Sequence, residues 1–145
     1  WYNGTMNIIE IDGGTIVERK VAEKAIDFAI KKLMPRIQTL DISLQIMKIE
    51  DKVDGYCLCI DNRTFEIEIQ SGIHYEDFVT AIFHEMVHVK QHVRKELVDK
   101  GFIKIWKGED WISMFTTVDE YMRFPWEAEA YRLQEELFEE YTNAS

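Results

Sequence analysis

Residues 81–91 read Ala-Ile-Phe-His-Glu-Met-Val-His-Val-Lys-Gln, AIFHEMVHVKQ. Two histidines stand four apart, and a glutamate follows the first. An α-helix turns about 100° per residue, so His84 and His88 lie one turn apart on nearly the same face. Two imidazoles placed this way can converge on one cation. Zinc accepts imidazole nitrogen and prefers four-coordinate sites. Glu85 sits on the flank of that face. It is too far round to be a natural third ligand and well placed to act as a general base.

The plain alternative is a helix that carries packed or surface histidines. The chain has only 4 histidines, and three of them fall in this helix. The stretch around His84, Glu85 and His88 is apolar. Two histidines and a glutamate buried there without partners would cost several kcal/mol in desolvation. The metal reading is therefore preferred. His92 repeats the four-residue interval, but it rises ~12 Å along the axis from His84, too far to share an ion. A metzincin pattern also fails, because Gln91 and Arg94 occupy the positions of its glycine and third histidine. His92 and His74 are read as ordinary polar residues that could line a cleft.

Around this segment the periodicities predict an α+β order. Asn7–Ile11 reads as a short strand, followed by a turn at Gly13-Gly14. Thr15-Ile-Val-Glu18 has the form of a capping box, opening a helix from Ile16 to Met34 that Pro35 ends. Leu40–Ile46 alternates apolar and polar residues, as a half-buried strand does. GYCLCI and TFEIEIQ follow, joined by a turn at Asp61-Asn62-Arg63. These three strands are expected to be antiparallel. The helix of the two histidines is expected over Tyr75–Val98. A hairpin turning at Gly108 should follow. Met114–Phe124 has no clear assignment, and a last helix is expected from Pro125 to about Tyr141.

A hydrolytic zinc site needs a third protein ligand. No histidine or cysteine is well placed, so a carboxylate is expected. Glu127 and Glu129 open the last helix about 200° apart, so both cannot face one ion. Glu127 is favoured, with Glu129 as the fallback. Tyr131 lies one turn after Glu127 and could reach a ligand or the reacting oxygen. Tyr121, Arg123 and His92 are further candidates for stabilising an oxyanion.

Composition narrows the classes. At 145 residues the chain has the size of one domain, taken to span residues 1–145, and its hydrophobic share of 46% is ordinary. A net charge of −10 argues against general nucleic-acid binding or an anionic membrane surface. No apolar run is long enough to cross a bilayer. No basic segment followed by an apolar block is visible, although a chain opening at Trp1 could be a trimmed piece. Cys57 and Cys59 lie two apart in an expected strand, where a disulfide would be strained. They are read as small buried apolar residues, and free thiols suit a reducing cytoplasm.

Together, HEMVHVKQ, WKGEDW and PWEAEAY resemble the small SprT-like or minigluzincin zinc metallopeptidases, many of them encoded by phages and bacteria. The likeness spans Thr80–Tyr131. It implies a zincin-like minimal metallopeptidase domain, with a small, mostly antiparallel twisted sheet packed on the active-site helix and a C-terminal helix. It maps one zinc ion per chain to His84, His88 and Glu127. Glu85 then serves as general base toward a metal-activated water, with a protein or peptide as substrate, in the cytoplasm of a bacterium or phage-infected cell. Two departures stand out. The cysteines of a zinc ribbon are absent, and Tyr131 occupies the place where thermolysin-type gluzincins carry an aspartate, so nothing is assigned to orient the histidines. Two other readings stay open: a zinc-binding module that is latent or non-proteolytic, and a metal-free helical interaction protein.

Overall fold

The computed structural model describes residues 6–115 and 117–144. Trp1 to Thr5, Thr116 and Ser145 lie outside the described residues. The elements run β1 (Ile8–Gly13), α1 (Ile16–Leu33), β2 (Asp41–Met47), β3 (Gly55–Cys59), β4 (Thr64–Gln70), α2 (Tyr75–Val93), β5 (Leu97–Asp99), β6 (Ile103–Trp106), β7 (Glu109–Ile112), α3 (Val118–Arg123) and α4 (Pro125–Ala144). The architecture is α+β, with a four-stranded mixed sheet ordered β1-β2-β4-β3 and a three-stranded antiparallel sheet ordered β5-β6-β7.

Alternation in the strands decides which face is buried. Ile42, Leu44 and Ile46 of β2 and Phe65, Ile67 and Ile69 of β4 point into one core, while Ser43, Gln45, Glu66 and Glu68 are exposed on the other face. The buried face meets α1 and α2. The α1 helix starts as its sequence predicts, with a reciprocal bond pair: Glu18 N–H donates to Thr15 Oγ1, and Thr15 N–H to Glu18 Oε1. It then serves as the crossover between β1 and β2, which pair in parallel. Where β1 ends, Gly13 has φ +82°, and a Cβ there would lie 2.1 Å from the Ile46 carbonyl oxygen. A glycine is required at that close approach.

The sheet departs from the expected three antiparallel strands. β2 pairs with β4 in parallel, and β3 pairs antiparallel with the far side of β4. The hairpin turn at Asp61 to Thr64 makes β3 and β4 neighbours, but the chain from β2 first passes to the outer edge and leaves a place for β4. Gln70 secures that passage: its Nε2 donates to the Ile49 carbonyl at 3.0 Å, and its Oε1 accepts from Ile49 N–H at 2.9 Å.

The α2 helix ends at Val93, not at Val98. Glu96 N–H donates to the Gln91 carbonyl and Lys95 N–H to that of His92, a Schellman closure with Lys95 left-handed at φ 58°. Leu97 and Val98 instead pair with Trp106 and Ile105. The β6–β7 hairpin turns at Lys107-Gly108, as expected at Gly108, with positive φ at both residues. Within the unassigned stretch, Thr117 caps the short α3 through Glu120 N–H. A second core of Leu97, Phe124 and Trp126, flanked by Trp106, Trp111 and Tyr121, then pins the start of α4. Phe124 stacks on Trp126 at 4.7 Å between ring centroids.

Candidate metal centre

The α2 helix is buried on nearly every side, lying between the sheet, α1 and α4. His84 and His88 project from it towards α4, with ring centroids 4.9 Å apart. Glu127, the third residue of α4, arrives opposite them. Its Oε1 lies 3.1 Å from His84 Nε2, and its Oε2 lies 3.2 Å from His88 Nε2. All three residues are buried, and their ligand atoms fall within 4.8 Å of one another. This buried group could bind a metal ion.

The other imidazole nitrogens are also engaged. His84 Nδ1 is 2.8 Å from Gln134 Oε1, and His88 Nδ1 is 2.8 Å from Gln91 Oε1. An amide oxygen only accepts, so each Nδ1 carries the hydrogen and each Nε2 of the neutral ring keeps its lone pair. Those lone pairs are what a cation would receive; the hydrogen bonds to Glu127 in the metal-free protein need a proton on Nε2 instead. That donor set of two imidazole nitrogens and one carboxylate matches three-ligand zinc chemistry. Sequence reasoning missed both glutamines as partners of the histidines. Gln91 had a signal, since it lies three residues after His88 on the same face. Gln134 had none, being 50 residues from His84.

Glu129 turns away from the ion-binding group. Its Oε1 accepts from Lys90 Nζ at 3.0 Å and from Gln91 Nε2 at 3.1 Å. Of the two candidate carboxylates, Glu127 is the one that meets the histidines.

Electrostatics follow from burial and pairing. Burial opposes a charge on His88, but the hydrogen bond and charge of Glu127 outweigh it and raise the imidazole to about 9 in the metal-free protein. Burial likewise works to raise Glu127, yet hydrogen bonds from His84 and His88 hold it well below the usual carboxylate range. Glu85 is pushed up, chiefly by burial, with the histidines opposing and Glu127 adding to the rise. A carboxylate with a raised pKa beside a cation site is suited to accept and return a proton.

A cleft of about 710 Å³ opens over this group. Gly55, Tyr56 and Cys57 of β3 form one wall; Phe115, Val118 and Tyr121 form another. β4 lies inside the sheet, so its neighbour β3 is the edge strand beside the cleft. The backbone at Gly55 passes close over Glu85, and a Cβ there would lie 3.3 Å from Glu85 Oε2. Cys57 and Cys59 are free and half-buried, less enclosed than expected. Burial and the nearby Glu85 push the Cys57 thiol well up.

Tyr131 packs its ring 4.6 Å from that of His84, and burial together with the nearby Glu127 pushes the Tyr121 phenol well up. Both line the cleft, as does His92, whose ring lies 6.1 Å from that of Phe65. Arg123 is exposed and does not line it. His74 precedes α2 at its N-cap.

Among the described residues no helix is long and apolar enough to cross a membrane. No protein-family model, curated protein or solved structure matches the chain.

Proposed function

We propose that this protein is a zinc metallopeptidase of the zincin-like, gluzincin type that cleaves peptide bonds. One observation carries the reading. The Nε2 atoms of His84 and His88 converge on Glu127 while Glu85, buried and raised in pKa, borders the same open cleft. A site meant only to hold a metal has no need of that fourth group.

One zinc ion would be held by His84, His88 and Glu127. Bound there, it supplies Lewis acidity that acidifies water and polarises the scissile carbonyl. Glu85 takes a proton from the attacking water as the new C–O bond forms. It then delivers that proton to the leaving nitrogen as the C–N bond breaks. Tyr121 and Tyr131 are the hydroxyl donors available to the oxyanion. An extended peptide would add along the free edge of β3 through main-chain hydrogen bonds. The resemblance of HEMVHVKQ and PWEAEAY to small SprT-like metallopeptidases supports the same reading.

Replacing Glu85 tests it. Glu85→Gln should keep zinc and lose about 10²–10⁴-fold in hydrolysis of a peptide library by the zinc-loaded protein. Wild-type rates in that variant would overturn the assignment of the base. Zinc bound by a wild-type protein that cleaves nothing in the library would favour a non-proteolytic binding module.

A further inference from the structure

Gln91 is fully buried, at 0% exposure, between α2 and α4. Its Nε2 donates to the Trp126 carbonyl at 2.9 Å and to Glu129 Oε1 at 3.1 Å. Both partners only accept, so the amide has one orientation. Turning it over would set its oxygen against the Trp126 carbonyl and its NH₂ against His88 Nδ1–H. Glu129 is itself held by Lys90, whose Nζ also lies 2.8 Å from Glu96. Trp126 precedes Glu127, so the same amide ties the backbone beside one ligand to the ring of another.

We propose that Gln91 is a positioning residue, fixed by Trp126 and by the Glu129–Lys90 pair, that locks His88 in the tautomer able to bind a metal. Glu129 then acts on the metal centre without touching it. The proposal rests on the metal-centre reading above. The His84 arm is built differently: Gln134 Nε2 donates to Glu135 on the exposed side of α4 at 3.1 Å, so its amide is less constrained.

Zinc affinity, measured by chelator competition in the full chain, separates positioning from plain packing. Gln91→Leu should weaken zinc binding by about 10–100-fold, the usual range for losing an orienting partner. Gln91→Glu can accept from His88 Nδ1–H with one oxygen and, protonated on the other, donate to the Trp126 carbonyl. It should bind zinc within about tenfold of wild type. A merely structural role predicts equal losses in the two variants, and that result would overturn the proposal, as would wild-type affinity in Gln91→Leu.

A spectroscopic readout is independent of affinity. Cobalt-loaded wild type should show a slowly exchanging Nδ1–H resonance from His88, and Gln91→Leu should lose it; its persistence would count against the lock. Should the Gln91 variants fail to fold, Glu129→Leu keeps the Trp126 bond and decides the matter. Several-fold weaker zinc binding is expected, and unchanged binding overturns the role. His84→Ala is the reference for the underlying reading: it should abolish zinc binding, and zinc retained there would sink the metal centre itself, whatever Gln91 does.

Discussion

His88 and Glu127 hold opposite charges in the buried interior when no metal is present, and this makes the metal-free protein sensitive to pH. The folded-state pKa of His88, about 9, lies above its ordinary value of 6.5. Its contribution to stability is therefore complete below about pH 6.5 and fades as pH rises through 9. Glu127 is depressed below its ordinary 4.5, so its contribution is present above that value and fades as pH falls. The Tm of chelator-treated protein should fall between pH 6.5 and 9. In His88→Asn that fall should shrink, and an unchanged slope would contradict the pairing. On the proposed function, zinc would have to displace the proton from His88, so zinc stabilisation should grow over the same range. At this scale His84, Glu85 and His88 were legible, because helical phase is local. The choice of Glu127 over Glu129 was narrowed by phase and settled by how α4 faces α2.

The edge strand β3 and the helix α2 meet at Gly55 and Glu85. A Cβ at Gly55 would lie 3.0 Å from the Glu68 carbonyl oxygen and 3.0 Å from Ile69 Cδ1, besides its approach to Glu85. Gly55→Ala should cost about 1 kcal/mol of stability, as modest overpacking does. On the proposed function it should also lower turnover more than zinc affinity, since Glu85 is not among the residues that could hold the ion. Denaturant titration, zinc competition and kcat measured on one variant check both parts; equal losses in turnover and affinity would show that the strand acts on the ligands instead. Element limits were legible where a local device sets them, as at Thr15 and Glu18. The end of α2 was not, because Lys95 takes the left-handed turn that glycine usually signals. The strand propensity of Leu97 and Val98 is realised only by pairing with β6.

The candidate metal site joins two helices that are already held by one core, and the second aromatic core fixes where α4 begins. Metal should therefore stabilise a fold that exists without it. Zinc at a hundredfold excess over its Kd stabilises a binding-competent protein by about 2.7 kcal/mol. For a chain of this size that corresponds to a Tm rise of roughly 5–10 °C, reversed by a chelator. Scanning fluorimetry across a zinc titration reads it directly, and a flat response would argue against zinc at this site. The strand order belongs to this scale too. Alternation along Leu40–Ile46 marked the inward residues of β2, but the parallel pairing of β2 with β4 depends on the path through residues 48–54.

Local periodicity, read from the sequence alone, determined the helical phase of His84, Glu85 and His88, the inward faces of the strands, the cap of α1 and the hairpin at Gly108. Each depends on covalent geometry within a few residues. Only the tertiary structure decided that β3 is the edge, that Glu127 and not Glu129 meets the histidines, and that Gln91 and Gln134 hydrogen-bond to them. His84 and Glu127 are 43 residues apart. Contacts at that separation are set by packing between elements, for which no spacing along the chain is a signature.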